Sequence, residues 1–260
     1  MKNLIPTKYL PLLTLGCGVV LALLRWLLYA TGVDDRGLLE EGNFLRVLCR
    51  ILPMAAEAVL CLAVFPLDGT NRYEDNFSTS LPGAVGAFLA AGGILAAVLT
   101  DTMPYPDLLA HIRTVAGILA ALCLVAIGIC RLQGKIPFFA FSGMVCVFFA
   151  LNLAHHYRLW SGNPQTQDYI FRLFACIVLM LFAYYHTAFT VELGQRRALL
   201  LCGLLGALLC CLALIPWEQP WVYLGCGAWC VLDLCQLNPP RRRRRRHSDA
   251  VPEEPDREVE

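Results

Sequence analysis

Ionisable side chains are scarce in the apolar stretches of this sequence. Each one found there is a functional candidate, because a charged group at the centre of a membrane helix costs about 2.5–3.5 kcal/mol on insertion scales. Glu57 sits near the middle of the apolar run 45–67, Arg25 in the outer half of 9–31, and His186 in the inner part of 169–193. Asp233 lies one turn from the inner end of 221–237. A carboxylate that close to an interface is ordinarily solvated, so Asp233 ranks last of the four. Side chains lean toward the N-terminus of their helix, and consecutive helices tend to be neighbours, so Arg25 is expected to reach inward and meet Glu57. The alternatives are an Arg25 that snorkels to the headgroups and a protonated Glu57 facing a cavity.

A second group gathers where two other pairs of apolar runs connect. Asp101, Asp107, His111 and Arg113 stand at one connection, and His155, His156, Tyr157, Arg158, Trp160, Asp168 and Arg172 at the next. Asp107 and His111 are four residues apart and share a helix face, and His155 or His156 could approach at the same depth. Carboxylate and imidazole together suit zinc or another divalent metal. A haem held between His111 and His155 or His156 is a weaker variant. The plain alternative is a set of wet interfacial side chains, and no spacing here has the specificity of H-E-x-x-H. No metal or cofactor is therefore assigned.

Nucleophilic chemistry has one candidate pair. Ser142 and His186 fall at similar depths, which allows a hydrogen bond, yet G-x-S-x-G is absent and no acid is evidently placed. A Ser–His bond inside a bundle is ordinarily structural. The run from Glu40 to Arg46 approaches the E-E-x-x-x-R motif of eight-span glutamic proteases, but the arginine comes one residue late and no H-x-x-x-N follows. Walker A and G-x-G-x-x-G patterns are missing. No catalytic residue is assigned, and a non-enzymatic protein is expected.

The elements that must position these residues are read from composition. Of 260 residues 58% are hydrophobic and 16% charged, with a mean hydropathy of +0.59, a balance that marks a membrane protein rather than a soluble domain. Eight runs satisfy the need for about 20 apolar residues per crossing. They are 9–31, 45–67, 81–100, 108–130, 136–157, 169–193, 198–215 and 221–237. Alternating strand patterns are absent, so the expected fold is all-α, a bundle of eight transmembrane helices over residues 1–238 with no soluble domain. The first run could pass for a signal peptide, but it is too long and contains Arg25 and Trp26.

An even number of spans puts both ends on one side, and the block Arg241–Arg246 makes that side cytoplasmic. Inside segments then hold 14 Lys and Arg against 6 outside. Without the tail arginines the contrast shrinks to 7 against 6, so the orientation leans on the tail. Residues 239–260, Arg-rich and then acidic, have the composition of a disordered tail. Its plain role is to lock the topology. Its sharper role is to bind anionic lipid or a protein partner through Arg241–Arg246. Net charge is only +1, so nothing points to nucleic acid.

All 13 cysteines fall inside the apolar runs, without C-x-x-C, and read as small packing residues. In the third run Gly86, Ala90, Gly93 and Ala97 form a small-residue stripe that predicts close helix packing. Leucine is expected to be worse tolerated at Gly86, Ala90 and Gly93 than at Ala84 and Ala91. The other reading of Gly92-Gly93 is a helix break lining a substrate path.

The segments Asp34-Asp35-Arg36-Gly37-Leu38-Leu39 and Asn76-Phe77-Ser78-Thr79-Ser80, with the stretch from Arg158-Leu159-Trp160 through Asp168-Tyr169, resemble uncharacterised multi-pass membrane proteins of clostridia-like bacteria. The resemblance covers most of the chain. It implies a bacterial inner membrane and supplies no activity, ligand or functional residue. Two functions stay open: a structural, regulatory or accessory subunit that acts by interaction, and a small-solute or ion transporter. An outer-face metal or haem site and an intramembrane hydrolase are remote alternatives.

Overall fold

A computed structural model describes residues 9–32, 44–65, 71–100, 108–160, 166–215 and 219–238. These residues form helices α1 (Leu10–Thr31), α2 (Phe44–Val64), α3 (Tyr73–Asn76), α4 (Leu81–Thr100), α5 (Leu108–Gln133), α6 (Phe139–Trp160), α7 (Thr166–Thr190), α8 (Arg196–Ala213) and α9 (Pro220–Cys235). Among the described residues there is no strand, only an isolated bridge between Phe77 and Leu237. Seven helices are long and apolar enough to cross a membrane, and α9, at 16 residues, is a shorter apolar helix. The chain is a multi-pass membrane protein. In hydrocarbon the backbone must satisfy its own hydrogen bonds, which is why these apolar runs form helices.

The spans expected from sequence match these helices to within a few residues, with two informative differences. α2 ends at Val64 instead of residue 67, and the connection to α4 contains the single-turn α3, which has no apolar period to announce it. The tail 239–260, with Arg241–Arg246, lies outside the described residues.

Neighbours follow the chain from α4 to α9, and α9 returns to pack along α4, so these six helices close a circuit. The α1–α2 hairpin is added on the outside of α8. Phe148, Phe149, Leu124, Leu179, Phe182 and Trp229 fill the interior and are almost completely buried. Large apolar side chains such as Leu23, Met54, Leu62, Leu99 and Leu122 point outward. That inversion of the soluble pattern is what a lipid-facing surface requires.

The α4–α9 contact is the closest in the bundle. A Cβ added at Gly93 would land on the Trp221 carbonyl, one at Gly225 on the Leu89 carbonyl, and one at Gly86 would lie 3.1 Å from the Trp229 Cα. The small stripe therefore brings backbone against backbone. α4 runs unbroken through Gly92 and Gly93, so the helix-break reading is corrected. The comparison positions also need correction. Ala84 and Ala91 are buried too, because α4 is covered by α5 on its other side. Gly92, with nothing within 4 Å of an added Cβ, is the open position.

Candidate functional site

The polar residues of the interior collect at two ends of the bundle. At the first, the last two turns of α5 carry Arg131, the last turn of α9 carries Asp233, and the last turns of α7 carry His186. Asp233 accepts from both: Arg131 Nη2 donates to Oδ1, and His186 Nε2 donates to Oδ2 at 2.8 Å. The second bond places the ring proton on Nε2. All three side chains are at least 95% buried.

The segment 71–80 folds beneath these three and closes them off. Phe77 stacks on the His186 ring at 5.2 Å, and Trp229 stacks on it at 5.5 Å. Phe182 meets the same ring edge-on at 4.9 Å. The Arg131 guanidinium lies 4.1 Å from the Phe77 ring centre and 5.7 Å from that of Tyr73. Burial pushes the Tyr73 phenol up to about 12, against the opposing pull of Arg131. Ser80 caps α4 by accepting from the Gly83 N–H at 2.9 Å, and its own N–H donates to the Arg131 carbonyl at 3.4 Å.

A second layer ties this segment to the chain after α9. Arg196 donates through Nη1 to Asn76 Oδ1 at 2.9 Å and through Nη2 to the Asn238 carbonyl at 2.6 Å. The Asn238 N–H donates to the Asn76 carbonyl at 3.0 Å, beside the Phe77–Leu237 bridge. Residues 236–238 thus form a strap across the bundle end, held two residues short of Pro240 and the arginine block.

At the opposite end Arg113 donates to Asn152 Oδ1 at 3.4 Å, and Asn152 donates to Cys176 Sγ at 3.4 Å. His156 Nδ1 bonds the Asn152 carbonyl at 2.8 Å. Arg172 donates from Nε to the Ala213 carbonyl at 3.2 Å and stacks on Tyr169 at 5.6 Å.

The residues singled out from sequence are placed as follows. His186 is bound to Asp233 and not to Ser142, which is buried separately on α6. His155 and His156 are buried side by side, their rings 5.5 Å apart. His111 is exposed and lines an outward-facing apolar groove of about 390 Å³ with Val115, Leu119, Met144, Val147 and Leu151. Asp107 lies outside the described residues, and among the described ones no three His, Cys, Asp or Glu side chains converge as a metal site.

Arg25 and Glu57 do not meet. Arg25 is six residues from the end of α1 while Glu57 is thirteen from the start of α2, which separates them by roughly 10 Å along the hairpin at 1.5 Å per residue. The Arg25 guanidinium turns instead over the Phe171 ring of α7, at 4.6 Å. Glu57 stays half-buried, and among the described residues it has neither a hydrogen bond nor an ion pair.

Asp233 is the centre of the site, although its position near a helix end argued for solvation. Arg131 and Arg196 carried no sequence signal beyond their charge. Asn76 and Asn152 carried none, because a polar residue at a connection or about two turns from a helix end has an ordinary place near water.

Chemically, Asp233 and His186 are an acid and a base in contact, the composition of a proton relay. The ring spends Nε2 on the carboxylate and both faces on Phe77 and Trp229, and no hydroxyl or thiol bonds it among the described residues. The arrangement is a filled clamp that joins α5, α7 and α9 and fixes the strap. No protein-family model matches the chain, and neither does any curated protein or solved structure.

Proposed function

We propose that this is an eight-span bacterial inner-membrane protein with both termini in the cytoplasm, working by interaction as a structural, regulatory or accessory subunit. Its working element is the basic tail Arg241–Arg246, directed at anionic lipid headgroups or an acidic partner. The observation that carries the reading is the clamp of Asp233 with Arg131 and His186, together with the strap at Asn238. A carrier or hydrolase leaves its ionisable groups facing a path or a substrate. Here Asp233, Arg131 and His186 are engaged with one another, and Phe77, packed on two of them, sits beside the Asn76, Arg196 and Asn238 bonds that hold the root of the tail. Six arginines near an anionic surface contribute about 1 kcal/mol each, and a fixed root spares part of the ordering entropy.

Mass spectrometry of the protein released gently from its own membrane tests this. Wild type should retain anionic lipid or a second subunit, and a variant with Arg241–Arg246 changed to Gln should lose it. Identical spectra from the two would refute the reading.

A further inference from the structure

We propose that the flank of α2 carrying Glu57 is the docking site for a transmembrane helix of a different protein, one that brings a lysine or arginine to mid-membrane depth. This names a partner within the interaction reading and rests on it, but it uses a surface remote in sequence from the tail.

α2 is the most loosely held long helix. Only 22% of its spanning window is buried, against 78% for α8. Its inward residues Cys49, Pro53, Leu60 and Val64 make one narrow stripe. Glu57 stands at the edge of that stripe, and helical spacing puts it in a second row with Arg50, Met54, Cys61 and Phe65, all exposed. The row is apolar at Met54, Cys61 and Phe65, and its one carboxyl lies about 10 Å or more from either helix end. A carboxyl at that depth needs a counter-charge or a proton, and among the described residues none supplies a counter-charge there, since Arg25 is turned to α7.

Charge complementarity selects the occupant. A passing lipid tail offers nothing to a carboxyl, whereas a helix with one basic residue at its midpoint pairs with Glu57 while its apolar side covers Met54 and Phe65. A second copy of this chain is a poor occupant. Its described spanning cations are buried, as with Arg25, Arg113, Arg131, Arg172 and Arg196, or lie within two turns of a helix end, as with Arg46, Arg50, Arg158 and Arg197. The partner is therefore heterologous.

The test uses the full-length protein in lipid vesicles with a labelled synthetic polyleucine transmembrane peptide carrying one central lysine. Association is read by energy transfer. The lysine peptide should bind about tenfold more tightly than the all-leucine peptide, as one interhelical charge pair implies. Glu57→Gln should abolish the preference and Glu57→Asp should restore most of it. Among the described residues Glu57 makes no bond, so the thermal midpoint of Glu57→Gln should match wild type. Equal binding of the two peptides to wild type overturns the proposal whatever the variants do, and so does a lysine preference that survives in Glu57→Gln. A proton flux that requires Glu57, with no peptide preference, would put a carrier in its place. The peptide carries no anionic group, so failure here leaves the tail experiment standing, and failure of the tail experiment leaves this one readable.

Discussion

Gly92 and Gly93 are adjacent in sequence and opposite in consequence. A Cβ at Gly93 meets the Trp221 carbonyl oxygen, the carbonyl carbon at 3.1 Å and the Gly225 Cα at 3.2 Å. All of these are backbone atoms of α9, so no side chain can swing away and the two helices must separate. Overpacking of this kind costs about 1–3 kcal/mol. Replacing a helical glycine by alanine also returns about 0.5–1 kcal/mol of chain entropy, but both positions gain that equally. The difference between Gly93→Ala and Gly92→Ala is therefore the overpacking cost alone. It corresponds to about 5- to 140-fold in the unfolding constant. Equilibrium unfolding in mixed detergent micelles, followed by tryptophan fluorescence, measures it. Gly92→Ala should be neutral or stabilising and Gly93→Ala destabilising. Equal shifts would refute the claim that α4 and α9 touch through their backbones.

Three further outcomes are expected. Asp233→Asn leaves the Arg131 charge buried without its counter-ion and should cost about 3–5 kcal/mol by the same unfolding assay, whereas Arg131→Met with Asp233→Leu should recover much of it; a mild single-variant effect would mean that the clamp is solvated. Tyr73 should titrate near 12, so folding gains its full contribution below about pH 10, where the unfolded phenol begins to ionise, and loses it as pH rises toward 12; the ultraviolet difference between wild type and Tyr73→Phe checks this, and a midpoint near 10 would show the phenol to be wet. Reporter fusions at the C-terminus and within 34–43 should report opposite sides of the membrane, and same-side signals would break the eight-span topology.

Helices were legible in the sequence because hydropathy alone writes them: seven runs recur as long apolar helices, and α9 differs only in being short. The Gly86–Gly93 stripe was legible for the same reason, since small residues at helical spacing have one common use. The clamp was not. Asp233 near a helix end is indistinguishable from a solvated carboxylate until something covers it, and its cover is Phe77, from a segment more than 150 residues earlier with no periodicity of its own. Arg131 and Arg196 counted as topology signals, yet their buried bonds make them structural too. The Arg25–Glu57 pairing failed on register, because Glu57 lies thirteen residues into α2 while Arg25 is only six from the end of α1, and Phe171 of α7 takes the guanidinium instead. The metal, catalytic and partner readings had no motif behind them in sequence.

The pairing of α4 with α9 has a consequence for biosynthesis. Trp221 is made about 135 residues after Gly86, which at 5–20 residues per second is on the order of ten seconds. Until α9 follows, α4 sits in the membrane with its smooth glycine face uncovered, Arg131 once made lacks its aspartate, and the 71–80 segment lacks the Leu237 and Asn238 contacts that tie it down. α9, the last of the described helices out of the ribosome, completes the circuit, neutralises the cation and seals the bundle end in one event. A nascent chain stalled before residue 220 is therefore a recognisable fragment, displaying an unneutralised arginine and an open helix face to the cell's membrane proteases.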